Sequence, residues 1–260
     1  MKLQLYQADA FAAGLFKGNP AAVVPLQNWL SDELMQQIAM ENNLSETAFF
    51  IPKGDHFHIR WFTPKTEVKL CGHATLATAH VIFNELKFQG EKLAFESMSG
   101  LLTVEKVEDK LQLDFPADFA QEVEAVELFT EAFGAEPTKT LKGRTDYLLL
   151  FDSEETIRDF QPNIHLLLAT NARGIMVTAQ GNDVDFVSRF FAPAVGVNED
   201  PVTGSAHTTL IPFWANRLNK TQLTALQLSA RGGQLWCTLS EERVFIAGKA
   251  VTYLRGEIEI

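Results

Sequence analysis

Arg60-Trp61-Phe62-Thr63-Pro64 returns as Arg189-Phe190-Phe191-Ala192-Pro193 at an offset of 129, and Gly72-His73-Ala74 returns as Gly204-Ser205-Ala206 at an offset of 132. A repeat of this length decides the architecture before any single element does, because each copy has to be a folding unit of similar design. Three additional residues lie between the two landmarks in the second copy. The offset of 132 goes on to pair Ser97 with Ser229 and Gly100 with Gly232, and one further residue brings Lys110-Leu111-Gln112-Leu113 onto Arg243-Val244-Phe245-Ile246.

Each copy reads as an alternating strand, an aromatic-rich turn closed by proline, a short connection, and a helix opened by glycine. The helices are expected from about His73 to Leu86 and from Ser205 to Leu218. Leu76, Ala77, Val81, Ile82 and Phe83 make the first apolar nearly all round, as a helix enclosed by a sheet must be. Pro212 predicts a kink in the second. Strand-like runs follow each helix, Lys92 to Phe95 and Leu101 to Phe115, then Leu223 to Ser229 and Gln234 to Ser240. Further helices are expected over Asp32 to Glu41, with Ser31 as N-cap, and over Glu124 to Phe133, ended by Gly134. The expected fold is α+β: two similar halves, each a curled, mostly antiparallel sheet around one apolar helix. They divide as residues 1–118 and 119–260, joined near Pro116 to Gln121, with the last strand free to cross back. The competing reading is one continuous mixed sheet in which the likeness is accidental.

Composition narrows the partners. At 260 residues, 46% hydrophobic and 21% charged, the chain is an ordinary globular protein long enough for a sizeable core. A net charge of −11 repels phosphate backbones unless a basic patch intervenes. The densest basic stretch, Lys139, Lys142 and Arg144, sits between Glu136 and Asp146 and reads as a solvated loop. Nucleic acid is therefore not an expected partner. No apolar run approaches the roughly 18 to 20 residues that cross a bilayer, and Tyr147-Leu148-Leu149-Leu150-Phe151 reads as a buried strand. The first residues, Met1 to Asp9, become polar too soon for a secretory segment, so the expected location is cytoplasmic. Cys71 and Cys237 lack zinc-site spacing and are expected as free thiols.

A helix that begins at glycine offers unpaired N–H groups and the positive end of its dipole, a ready place for a carboxylate. Gly72 and Gly204 supply two such ends, which makes a small anionic metabolite the natural guest; the plainer reading is two tight turns. Chemistry is then sought where the copies differ. Glu46, in Leu44-Ser45-Glu46-Thr47-Ala48, faces Ile175 across the offset of 129. A carboxyl amid apolar sequence is open to desolvation, which raises its pKa and suits it to exchange a proton, although on sequence alone a surface or capping glutamate is the commoner reading. Asp200, in Asp200-Pro201-Val202-Thr203-Gly204-Ser205, matches Val68; it is a candidate site residue or a turn opener. His73 can exchange a proton near neutrality, and at a helix start the dipole favours its neutral form; capping and core roles compete. His56 and His58 share a strand face without a third ligand, so no metal site is expected. Neither a Walker loop nor a Gly-x-Gly-x-x-Gly fingerprint is present, so nucleotide and nicotinamide cofactors are not indicated. Without a Gly-x-Ser-x-Gly elbow, Ser205 has no cue for a nucleophilic triad.

Taken together, Gly18-Asn19-Pro20-Ala21-Ala22-Val23, Ser45-Glu46-Thr47-Ala48-Phe49, Cys71-Gly72-His73-Ala74-Thr75 and Asp200-Pro201-Val202-Thr203-Gly204-Ser205-Ala206 resemble the PhzF-type phenazine-biosynthesis family. The motifs keep their order over about 190 residues and span both halves. The resemblance implies a diaminopimelate epimerase-like fold, two pseudo-symmetric domains of sheet around a central helix, with the active site in the cleft between them. It also implies an isomerase that moves a proton on a small carboxylate without metal or organic cofactor. By motif, Glu46 would shuttle the proton, His73, Asp200 and Ser205 would orient the substrate and assist, and Gly72 and Gly204 would lend backbone donors. Ala74 stands where some members carry proline. Related racemases and epimerases use one cysteine at each helix start; Cys71 fits the first place, but Thr203, too weak an acid, holds the second. A two-base amino-acid epimerase and a non-catalytic binder of small anions remain the alternatives. The sequence does not determine the oligomeric state, and a homodimer is compatible with it.

Overall fold

The computed structural model describes residues 1–260, and the chain divides into two compact units, Met1–Asp114 with Ala247–Ile260, and Phe115–Ile246. No helix is long and apolar enough to cross a membrane. The elements of the first half of the chain run β1 (Lys2–Ala10), β2 (Asn19–Pro25), α1 (Asp32–Asn42), β3 (Glu46–Lys53), β4 (His56–Phe62), β5 (Glu67–Val68), α2 (Gly72–His80), β6 (Lys92–Ser97), β7 (Gly100–Val107) and β8 (Lys110–Pro116). The second half of the chain forms β9 (Gln121–Glu122), α3 (Glu127–Phe133), β10 (Lys139–Lys142), β11 (Tyr147–Leu150), α4 (Glu154–Asp159), α5 (Ile164–Ala169), β12 (Ile175–Gln180), β13 (Phe186–Ala192), β14 (Val197–Asp200), α6 (Gly204–Leu218), β15 (Gln222–Gln227), β16 (Gly233–Ser240) and β17 (Arg243–Gly248). The last strand, β18 (Ala250–Glu259), pairs antiparallel with β1.

Strand pairing repeats from unit to unit. In the first, β1 and β2 are antiparallel, β2 and β3 parallel, and β3 and β4 antiparallel; β4 then takes β5 antiparallel and β6 parallel. In the second the same sequence of relations joins β10, β11, β12, β13, β14 and β15. The short β9 lies against β10 as β18 lies against β1. Each unit is a mixed α+β body with a curled, unclosed sheet. The duplication also carries a structural ion pair. Arg60 forks onto Glu67 at 2.6 and 2.8 Å, and Arg189 forks onto Glu199 at 2.7 and 3.0 Å. Each guanidinium lies over an aromatic ring two residues along its own strand, Phe62 at 5.2 Å and Phe191 at 5.1 Å. A planar fork suits this dual contact, which an ammonium would not reproduce.

One helix of each unit is deeply buried. Seven consecutive residues of α2, His73 to Ala79, are buried, and the helix packs against β1, β2, β3, β7 and β18. Two of its polar side chains are satisfied locally, Thr75 Oγ1 donating to Cys71 O at 2.5 Å and Thr78 Oγ1 to Ala74 O at 2.7 Å. On the other face, α1 covers β3 and β4 with Met35, Ile38 and Ala39, against Val24, Phe49 and Phe62. In the second unit Phe129, Phe133, Phe151, Phe160 and Phe191 form the corresponding cluster around α3 to α5.

Several element boundaries differ from expectation. The first long helix stops being α-helical at His80 and continues over Val81–Glu85 as a π turn, closed by Leu86 N–H on Val81 O. That segment carries Glu85, which accepts from Arg255 of β18 at 2.5 and 2.7 Å. Leu101 to Phe115 is two strands, because Glu108 takes φ 55° and turns the chain between Val107 and Lys110, which pair. Helix α3 begins at Glu127 rather than Glu124, with Val126 as its N-cap and no side-chain cap. Ser31 does cap α1, accepting from Leu34 N–H at 3.3 Å, and Gly134 ends α3 in the left-handed conformation.

Candidate active site

Topology brings three chain segments of the first unit to one place. Because β2 and β3 are parallel, both begin at the same end of the sheet, with Ala21 opposite Glu46. Asn19 opens β2 opposite Ala10. Gly18 precedes it at φ 72°, where a Cβ would collide with the Ala10 carbonyl oxygen, so a residue without a side chain is needed to bring Asn19 in. Helix α1 ends at Asn43 in the left-handed region, φ 48°, and Leu44-Ser45 then lead into Glu46. Cys71, extended at φ −146° and ψ 108°, precedes Gly72, the first residue of α2.

At that meeting point His73 is 5% exposed. Its Nε2 lies 3.1 Å from Glu46 Oε2. On the opposite side of the ring, Asn19 Nδ2 lies 3.2 Å and Cys71 Sγ 3.5 Å from Nδ1. Ser45 Oγ donates to Asn19 Oδ1 at 3.1 Å. The Glu46–His73 approach is close but misaligned: Oε2 and Nε2 are both enclosed and neither completes a hydrogen bond. Two buried polar atoms left short of a partner are costly, unless a third group completes them. Burial alone would lower the pKa of His73, but the Cys71 sulfur and the Glu46 carboxylate outweigh it and hold the imidazole well above its ordinary value. This reverses the expectation of a neutral ring at a helix start, because a carboxylate in contact is stronger than the end of a helix dipole. Burial, then Glu46, push the Cys71 thiol up to about 11, so it is protonated at neutral pH.

Glu46, Cys71 and His73 bring a potential ligand atom each within 4.8 Å of one another. The sulfur and the carboxylate nevertheless address opposite ring nitrogens, so one ion could not take a lone pair from His73 while held by both as they stand. The donor set fits proton transfer better than coordination.

The second unit presents a different constellation at the start of α6. Asp200 ends β14 and accepts from Thr203 Oγ1 at 2.5 Å. Gln227 of β15, 1% exposed, accepts from Thr203 N–H at 2.8 Å and donates to Asp200 O at 2.8 Å and to Thr203 Oγ1 at 3.2 Å. Ser205 is exposed in the first turn after Gly204. His207, fully buried, stands at 2.8 Å from Thr203 O through Nδ1, and burial pushes its pKa down to about 4. Ile175, which matches Glu46, is also the first residue of its strand but lies in the phenylalanine cluster.

Of the residues marked from sequence, the structure brings Glu46, Gly72 and His73 together in the first unit and Asp200, Gly204 and Ser205 near one helix start in the second. Asn19, Ser45 and Cys71 belong to the first group but carry no chemical cue beyond their motifs. Gln227 gives no cue at all: an inward polar residue in a strand reveals its use only when its partners are known. His56 contacts Asp55 at 3.0 Å and Glu96 at 3.4 Å, and His58 packs edge-on against Trp29.

The profile of the phenazine biosynthesis-like proteins, PhzC-PhzF, matches residues 8–256. An uncharacterized isomerase of Pseudomonas aeruginosa is 54% identical over the full length of both chains. A PhzF-family crystal structure from Enterococcus faecalis superposes with a TM-score of 0.98 at 47% identity, covering 100% of each chain. At 10% identity, a hydroxyproline epimerase of Agrobacterium vitis shares the fold with a TM-score of 0.67 over 99% of this chain and 92% of its own.

Proposed function

The chain belongs to the PhzC-PhzF phenazine biosynthesis-like family, and from that premise we propose that it is an isomerase that moves a proton on a small carboxylate substrate with Glu46 as the acid/base. The observation that carries this reading is the pair of enclosed, incompletely bonded atoms, Glu46 Oε2 and His73 Nε2, 3.1 Å apart. Acid/base contacts in a resting enzyme are often poorly aligned and tighten on the substrate. In the proposed step a substrate C–H bond breaks as Glu46 takes the proton. The electron pair delocalises within the substrate, and the same carboxyl then returns the proton to another carbon. No redox change is involved, and no organic cofactor or metal enters the step. His73 holds charge near the carboxylate, while the N–H groups that open α2 at Gly72 suit a substrate anion. Asp200, Gly204 and Ser205 are assigned substrate-orienting roles by motif.

A two-base epimerase is less well supported. Cys71 is a thiol with its pKa near 11, and Thr203 is engaged as a donor to Asp200. The test is solvent exchange: small carboxylates are incubated with the protein in deuterium oxide and incorporation is read by mass spectrometry. Wild type should label its substrate, and Glu46→Gln should label it about 10² to 10⁴ more slowly. Equal labelling by both proteins would remove Glu46 from the chemistry. Binding without labelling would favour the non-catalytic alternative, and loss of labelling in Cys71→Ala would favour the epimerase.

A further inference from the structure

The directions of the hydrogen bonds around His73 carry an assignment of their own. Ser45 Oγ donates to Asn19 Oδ1 at 3.1 Å, and the other end of the amide, Nδ2, faces His73 Nδ1 at 3.2 Å. An amide nitrogen can only donate, so Nδ1 accepts, and a neutral imidazole that accepts at Nδ1 carries its proton on Nε2. Cys71 Sγ lies 3.5 Å from the same nitrogen. Nε2 is the nitrogen that faces Glu46. We propose that Asn19, oriented by Ser45, is a positioning residue that fixes the tautomer of His73, so that the proton-bearing Nε2 is presented to the Glu46 carboxylate.

The alternative tautomer would set an Nε2 lone pair against carboxylate lone pairs, which repels and supplies no donor to the reacting group. Which ring nitrogen of a histidine holds the proton is generally decided by the partner of the other nitrogen. In serine hydrolases, loss of that control costs about 10⁴ in turnover with the geometry otherwise kept. Asn19 is suited to the role because it is wholly buried, so water does not compete for the amide. The approach of its backbone is also held, by Gly18 against Ala10. The pull of Glu46 toward an imidazolium acts against Asn19, because a ring protonated at Nδ1 would have to meet the amide oxygen instead. The amide therefore limits how readily His73 charges, and it settles the tautomer whenever the ring is neutral.

The consequence for catalysis rests on the proton-moving reading, but the tautomer itself does not, so the two are tested separately. Protein labelled with ¹⁵N-histidine, with His73 assigned from a His73→Gln sample, is titrated by NMR until the ring is neutral. Wild type should show Nε2–H and an unprotonated Nδ1. Asn19→Asp replaces a donor with a group that only accepts, and should move the proton to Nδ1. Ser45→Ala frees the amide to turn and should give a mixture. A wild-type ring protonated at Nδ1, or an Asn19→Asp ring that keeps Nε2–H, overturns the proposal. If Asn19→Asp does not fold, the wild-type and Ser45→Ala spectra decide it. In the deuterium assay, the variant with the moved proton should label at least about 10-fold more slowly, within the range for a misdirected acid/base. Unchanged labelling there would refute the catalytic consequence. Expected spectra with no labelling by wild type would refute the proton-moving reading and leave the tautomer assignment standing.

Discussion

Replacing Glu46 by Gln removes the carboxylate beside His73 and keeps the shape, so it isolates the electrostatic part of that contact. An opposite charge within about 4 to 6 Å typically moves a pKa by 1 to 3, and here the separation is 3.1 Å with side chains 6% and 16% exposed. Little water screens the pair. The pKa of His73 should therefore fall in Glu46→Gln. Burial continues to lower it and Cys71 continues to raise it. The sign for stability follows from linkage. A histidine whose folded pKa is raised contributes stability that is fully present below its unfolded pKa, about 6.5, and is lost as pH rises through the folded value. Wild type should thus lose stability relative to Glu46→Gln between pH 6.5 and the alkaline side. The assays are an NMR titration of the His73 ring and urea unfolding at pH 6 and pH 10. A His73 that titrates at the same pH in both proteins would refute the reasoning, because the carboxylate could then not be among the groups that raise it.

The duplicated forks should differ in worth. Arg189→Met breaks a pair whose arginine is 8% exposed and also donates to Ile157 O and Phe160 O, so it should cost about 3 to 5 kcal/mol in urea unfolding. Arg60→Met, at a pair 17% and 23% exposed, should cost about 1 kcal/mol. Gln227→Leu leaves Thr203 N–H and Asp200 O without their buried partner, and a loss of about 1 to 3 kcal/mol is expected by the same measurement. Cys71 and Cys237 should resist iodoacetamide at pH 7.5 in the folded protein and react promptly in urea, since both are buried and burial raises both pKa values. His207, its pKa pushed down to about 4 by burial, should stay neutral from pH 5 upward in the NMR titration that follows His73. Because its folded pKa lies below the unfolded one, its share of stability is present above about pH 6.5 and is lost as pH falls toward 4.

The repeat made most of the fold legible because the fold is built from it. Matching Arg60 with Arg189 and Gly72 with Gly204 implied two sheets of one design, and the strand pairings repeat accordingly. The matched glutamates Glu67 and Glu199 became meaningful only once both forks were seen, since an acidic residue in a short strand looks like any solvated charge. The π turn after His80 was hidden for a related reason. Val81, Ile82 and Phe83 continue an apolar helical pattern, and composition does not record a change in hydrogen-bond step. Glu46 was visible as a carboxyl among apolar residues. That Asn19 and Cys71 would be its neighbours was not visible, because both lie far from it in sequence and are ordinary residues until the parallel pair β2 and β3 and the start of α2 meet.

The two histidines show why a difference between copies is a necessary clue but an insufficient one. His73 replaces Ser205, and His207 replaces Thr75, so sequence comparison alone would nominate both. His207, however, occupies the place Thr75 fills in the first unit: each side chain bonds the carbonyl four residues back, Thr203 O at 2.8 Å and Cys71 O at 2.5 Å. A histidine that can be matched in function by a threonine is there to satisfy a helix carbonyl within a core, and its neutral ring has no charge to lend. His73 differs because a carboxylate lies against its other side, at the one matched position where the second copy places Ile175 in a hydrophobic cluster. What makes one end of the repeat a candidate for chemistry is therefore the pairing of Glu46 with His73. Exchange of Glu46 alone would remove that pairing while leaving the scaffold in place.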